Sequence, residues 1–119
     1  GEPLLQLDAD LIAAVKAAGY FIAVETNGTL RAPEGIDWVC VSPKADNRLH
    51  QTSGQELKLV YPQDGVDPAA FAGLDFERFY LQPMDSVNQA ANTQAVIDYC
   101  LKHPQWRMSV QTHKLVGLK

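Results

Sequence analysis

The sequence predicts an α/β fold built on a parallel sheet, and three observations lead there. Five short apolar runs have strand character: Tyr20 to Val24, Ile36 to Val41, Glu56 to Tyr61, Arg78 to Leu81 and Arg107 to Gln111. Two longer segments, Asp8 to Ala18 and Gln89 to Lys102, carry apolar residues at helical spacing. Polar clusters then follow the strands: Glu25-Thr26-Asn27-Gly28, Ser42-Pro43-Lys44, Gln82-Pro83-Met84-Asp85 and Gln111-Thr112-His113-Lys114. Several such clusters at the same end of successive strands describe one face of a parallel sheet or barrel, where such folds bind ligands.

Each element has a local cause. In the first helix Leu11, Ile12, Val15 and Ala18 recur three and four residues apart, Asp8 caps the start and Gly19 follows the end. Tyr20 to Val24 is apolar and aromatic, and Asn27-Gly28 beyond it permits a sharp turn. Ile36 to Val41 is stopped by Ser42-Pro43. Ala45 to Gln55 is polar and contains Gly54, so it reads as a surface loop. Leu57-Lys58-Leu59-Val60-Tyr61 forms the third strand, ended by Pro62. Pro62 to Gly73 reads as a loop with at most one helical turn, near Pro68 to Ala72. In the second helix Ala95, Val96, Tyr99 and Cys100 share a side, and Pro104 lies beyond the end. Strands outnumber crossover helices, so some crossovers are loops or some pairs are antiparallel.

At 119 residues the chain makes one domain or a piece of one. Its 46% hydrophobic content supports a packed core. The formal charge of −4 gives no general affinity for nucleic acid or anionic membranes. No apolar run approaches the ~20 residues of a membrane span, and there is no signal-peptide pattern. A cytoplasmic protein is expected. Cys40 lies in an apolar run and Cys100 on a helix, and both read as small buried hydrophobes. A disulfide between them stays open, and no cysteine spacing suggests a metal site.

The clusters mix acceptors, donors and turn residues. Glu25 can take an ammonium group, Asn27 can donate and accept, and Ser42 supplies a hydroxyl. Lys44 can meet a carboxylate or phosphate, Gln82 can read a base or ribose, and Asp85 can accept from hydroxyls or amines. Each residue also has a plainer reading. Asn27-Gly28 is a common turn, Pro43 and Pro83 end strands, Lys44 is a solvated charge and His113 a surface or capping histidine. Their shared position at the strand ends favours the ligand reading.

Six stretches together resemble a known family. They are Gly1-Glu2-Pro3-Leu4-Leu5-Gln6, Glu25-Thr26-Asn27-Gly28-Thr29, Val41-Ser42-Pro43-Lys44, Glu56 to Tyr61, Leu81-Gln82-Pro83-Met84-Asp85 and Gln111-Thr112-His113-Lys114. The chain resembles the 7-carboxy-7-deazaguanine synthases, radical S-adenosylmethionine (SAM) lyases of queuosine and deazapurine biosynthesis. The resemblance implies that residues 1–119 are the C-terminal part of a partial (β/α) barrel, with about five strands and two main helices. It implies conversion of 6-carboxy-5,6,7,8-tetrahydropterin to 7-carboxy-7-deazaguanine and ammonia. A [4Fe-4S] cluster cleaves S-adenosylmethionine, the resulting 5′-deoxyadenosyl radical takes a hydrogen atom from the pterin substrate, and Mg2+ assists.

Carried residue by residue, the resemblance gives Gly1 a backbone contact to the amino group of S-adenosylmethionine. Glu25 and Asn27 would meet its ribose and amino-acid parts, and Ser42, Pro43 and Lys44 its ribose and carboxylate. Gln82, Pro83, Met84 and Asp85 would surround the adenosyl end. His113, and Lys119 through its terminal carboxylate, would meet the pterin. The family's CxxxCxxC loop and magnesium ligand lie upstream of the glycine-glutamate motif, so the 119 residues alone are expected to be inactive, with no catalytic or metal-binding residue of their own. An uncovered sheet edge would call for a homodimer or the missing N-terminal portion. Rival readings are a non-catalytic module binding a nucleoside or amino acid, a structural fragment, and an activase acting on another protein.

Overall fold

The computed structural model describes residues 2–46 and 48–109. After a 3-10 turn at Pro3–Leu5 come α1 (Ala9–Ala17), β1 (Ala23–Thr26), β2 (Trp38–Val41) and β3 (Ser53–Tyr61). A second 3-10 turn at Pro68–Ala70 precedes β4 (Asp75–Pro83), α2 (Gln89–Lys102) and β5 (Trp106–Met108). The strands form one sheet in the order β1-β2-β3-β4-β5, and all four pairings are parallel.

Both helices form where the periodicity places them. The Asp8 carboxylate accepts from the Leu11 N–H at 2.8 Å, which satisfies one of the free donors of the first turn of α1. Ile12 is the buried anchor of α1, and Val96, with no exposure, is that of α2. One face of the sheet is apolar: Val24, Val39, Val41, Leu57, Leu59, Phe79 and Leu81 are all buried in a single cluster with Ile12, Val96 and Trp106. Alternation turns the intervening residues to the opposite face. Register there sets Glu25 beside Cys40, Cys40 beside Glu56, and Glu56 beside Arg78. The sheet is therefore greasy on the side α2 covers and ionisable on the other.

Several expected boundaries move. The first strand runs over Ala23–Thr26 rather than Tyr20 to Val24, because Tyr20 and Phe21 lie outside the ladder and are exposed. Glu25 is thus inside a strand instead of beyond it. The third strand begins at Ser53, so the expected loop to Gln55 is shorter; Gln55 Oε1 accepts from the Val39 N–H at 2.6 Å. The fourth strand spans nine residues and includes Gln82 and Pro83. The last strand begins at Trp106, and the expected end at Gln111 lies outside the described residues. Parallel pairing throughout means that the crossovers are loops, save the one carried by α2. About a dozen residues suffice to bring a chain back beside its neighbour in parallel.

Candidate functional site

With every pairing parallel, the last residues of β1, β2, β3 and β4 fall on one edge of the sheet. The polar clusters leave from that edge. The Ser42 N–H donates to the Thr26 carbonyl at 2.7 Å, and the Met84 N–H to the Tyr61 carbonyl at 3.0 Å, so the chains stay paired as they turn away. A cleft of about 220 Å³ opens between β1 and β2, lined by Glu2, Pro3, Glu25, Thr26, Asn27, Ser42 and Lys44.

Glu2 builds one wall. Its Oε2 accepts from Thr26 Oγ1 at 2.6 Å and from the Leu4 N–H at 3.0 Å, while Oε1 accepts from the Asn27 N–H at 2.8 Å. Burial works against the charge, but these three donors outweigh it and hold the carboxyl below its ordinary range. Asn27 Oδ1 accepts from the backbone N–H and the hydroxyl of Thr29, at 3.0 and 2.8 Å. That leaves its Nδ2 as the group for the cleft. Gly28 makes the turn possible. Its φ is +78°, and a Cβ there would stand 2.4 Å from Leu49 Cδ1. Its carbonyl then accepts from the N–H groups of His50 and Gln51, at 2.8 and 3.0 Å.

Glu25 projects from the ionisable face, where Lys58 of β3 reaches across β2 to form an ion pair with Glu25 Oε1. Cys40 lies between Glu25 and Glu56 in register. Its thiol donates to Glu56 Oε2 at 3.0 Å and lies 3.8 Å from Glu25 Oε1. Burial pushes the Cys40 thiol strongly up, and the hydrogen bond and charge of Glu56 push it further. For Lys58, burial opposes the charge, and the Glu25 hydrogen bond and charge outweigh it, leaving the ammonium above the usual lysine range. Sequence reasoning missed Glu2, Lys58 and Glu56. The signal for the last two was present: in Glu56-Leu57-Lys58-Leu59 the charges alternate with leucines that face the core.

The structure brings Glu25, Asn27, Ser42 and Lys44 to one cleft, with Pro43 buried between the last two. Gln82 and Pro83 are on the same edge but two strands away at β4, both buried. Met84 lines a second cavity of about 320 Å³, with Tyr61, Asp64, Ser86 and Asn92 among its walls. Asn92 Nδ2 donates to the Met84 carbonyl and to Ser86 Oγ, each at 3.0 Å, so α2 fixes the loop that carries Asp85. Gly1, His113 and Lys119 lie outside the described residues. Cys40 and Cys100 are both free thiols: Cys40 sits on the ionisable face and Cys100 on α2, against the apolar one. Among the described residues no group of three His, Cys, Asp or Glu side chains could hold a metal ion, and no helix is long and apolar enough to cross a membrane.

No protein-family model matches the chain. Curated relatives do. It is 67% identical over 118 residues to a 7-carboxy-7-deazaguanine synthase of Caulobacter vibrioides, covering 99% of this chain and 56% of that protein. It is 60% identical over 119 residues to a protein of the same name from Bradyrhizobium diazoefficiens, and 58% identical over 118 residues to one from Bordetella pertussis. The chain thus spans a little over half the length of these relatives, and the resemblance read from its motifs holds along essentially all of it.

Proposed function

We propose that this chain forms the part of a 7-carboxy-7-deazaguanine synthase that grips S-adenosylmethionine, within a partial (β/α) barrel of the radical SAM type. The complete enzyme would be a lyase converting 6-carboxy-5,6,7,8-tetrahydropterin to 7-carboxy-7-deazaguanine and ammonia. One observation carries the reading: Glu25, Asn27, Ser42 and Lys44, distant in sequence, line a single cleft at the C-terminal edge of a parallel sheet.

The donor set suits that ligand. Lys44 offers a cation to its carboxylate, Glu25 an anion to its ammonium or ribose hydroxyls, and Asn27 Nδ2 and Ser42 Oγ neutral hydrogen bonds. Bound there, S-adenosylmethionine supplies the adenosyl group whose release as a radical starts the family's chemistry. The cleft, at about 220 Å³, is smaller than the ~300–1,000 Å³ of ordinary small-molecule sites. The ligand would therefore extend over the sheet edge toward Gln82, Pro83, Met84 and Asp85.

An iron–sulfur cluster does not fit the residues present. The chain has two cysteines; Glu56 engages the Cys40 thiol, and Cys100 faces the other side of the sheet. In this reading the cluster cysteines and the magnesium ligand lie outside these 119 residues, and Gly1 and His113 keep the roles the resemblance gives them. A homodimer, or a further segment of the barrel, would cover the open edge of β1.

Calorimetric titration of S-adenosylmethionine into the chain tests the reading. Saturable binding that weakens at least about tenfold, or ~1.4 kcal/mol, in the triple variant Asn27→Ala, Ser42→Ala, Lys44→Ala is expected. Equal affinity in wild type and variant would show that the cleft is not the site. Anaerobic reconstitution of the chain with iron and sulfide is expected to yield no 5′-deoxyadenosine.

A further inference from the structure

We propose that Lys58 is a positioning residue for the cleft, holding Glu25 so that one carboxylate oxygen is committed to the protein and the other is presented to the ligand. The inference rests on the ligand site proposed above. It concerns a residue that touches that site only through Glu25.

The geometry divides the two oxygens of Glu25. Oε1 takes the Lys58 ammonium, and the Cys40 thiol lies 3.8 Å from the same atom. Oε2 has no hydrogen-bond partner among the described residues, and Glu25 lines the cleft. A glutamate on an exposed strand face would otherwise sample several rotamers, and ordering it on binding would cost affinity. The Glu25 side chain is 56% exposed, so packing alone does not fix it, whereas the Lys58 side chain is only 21% exposed. The more enclosed partner therefore sets the position of the more exposed one.

Lys58 is flanked on its sheet face by side chains of neighbouring strands. Its neighbours in the parallel register are Tyr80 of β4, and across Tyr80, Arg107 of β5. Glu56 precedes it on the same face of β3, where it accepts from Cys40. Glu25 is thus the carboxylate within reach that is not already engaged by the thiol at close range. The ion pair spans from β3 to β1 across β2, the strand on which Cys40 is buried. Removing the ammonium would leave Glu25 free to turn toward solvent while the apolar face, one residue out of phase, stays packed.

The test combines a ligand-independent reading of the pair with a double-mutant cycle. Carbodiimide treatment of the chain, followed by peptide mass spectrometry, should give a direct Lys58–Glu25 amide cross-link; its absence while other cross-links form would overturn the pairing. Affinity for S-adenosylmethionine should fall about tenfold in Lys58→Met, and Lys58→Arg should recover most of it. In a Glu25→Gln background Lys58→Met should have little further effect. A Lys58→Met loss that persists in that background, or that Lys58→Arg does not restore, would overturn the positioning role. Melting temperatures of the five proteins separate this from general destabilisation: a loss of affinity that tracks a falling melting temperature would also count against it. Wild type that cross-links but binds no S-adenosylmethionine would defeat the functional reading, and the role of Lys58 with it. Wild type that binds while Lys58→Met binds equally well would defeat only the role of Lys58.

Discussion

Glu2 Oε2 accepts from Thr26 Oγ1 at 2.6 Å, and through that bond the turn that opens the chain is fastened to the end of β1. Thr26 is almost completely buried and also accepts from the Gly28 N–H at 3.2 Å, so the same hydroxyl orders the loop that carries Asn27. One wall of the cleft thus depends on a carboxylate that need not touch ligand at all.

Replacing Glu2 by Ala should lower stability by about 1–2 kcal/mol, since it removes the acceptor of three hydrogen bonds in a half-buried setting. The effect should depend on pH. The carboxyl's ordinary value is 4.5 and folding lowers it, so its contribution is complete above that value and is lost as pH falls through the folded one. Urea unfolding of wild type and Glu2→Ala at pH 7 and pH 3 should show a gap that narrows at the lower pH. A gap that widens would contradict the assignment.

Gly28→Ala should be more disruptive than a surface change. The new Cβ would meet Leu49 and Val41 at 2.4 and 2.8 Å, and φ of +78° is itself unfavourable for alanine. A loss of about 1–3 kcal/mol is expected from denaturant midpoints. The carbonyl contacts to His50 and Gln51 should loosen with it, detectable as faster amide exchange at those two residues.

Cys40 should resist alkylation in the folded chain. Its thiol is buried, bonded to Glu56 and raised far from the thiolate form that reacts. Iodoacetamide at pH 8, read by peptide mass, should label Cys100 first and Cys40 only after unfolding. Burial also pushes the Cys100 thiol up, so its labelling should be slow as well.

Asn92→Ala should release the loop after β4. Two hydrogen bonds from one nearly buried amide, to the Met84 carbonyl and to Ser86 Oγ, would be lost. A cost of about 1–3 kcal/mol is expected, most of it from the buried groups left unpaired. Limited proteolysis should then cut near Val87, which is fully exposed, sooner than in wild type.

Much of the architecture was legible because the periodicities were clean. Gln89 to Lys102 was read to the residue, and the alternation of Val39, Val41, Leu57 and Leu59 matches the apolar face. The first strand was misplaced because aromatic residues signal a strand, yet Tyr20 and Phe21 are exposed outside it. The polar clusters at the strand ends pointed to a parallel sheet, but whether every pair is parallel stayed open, since loop crossovers leave no periodic trace. Asn27, Ser42 and Lys44 line the cleft from places after strands, where the sequence put them, whereas Glu25, also expected beyond a strand, lines it from inside β1. Glu2 and Lys58 were not anticipated, because their partners are distant in sequence: Thr26 and Asn27 for one, Glu25 for the other. Long-range ion pairs follow from register, and register is a property of the folded sheet.

The most direct measurement is an amide chemical-shift map of the chain titrated with S-adenosylmethionine. The account predicts shifts concentrated at Glu25, Asn27, Ser42 and Lys44, extending to Gln82 and Met84. Residues such as Glu77 and Gln105, which line a cavity toward the N-terminal ends of β4 and β5, should stay unchanged. Shifts confined to that opposite end, or no saturable shifts at the four cleft residues, would contradict it.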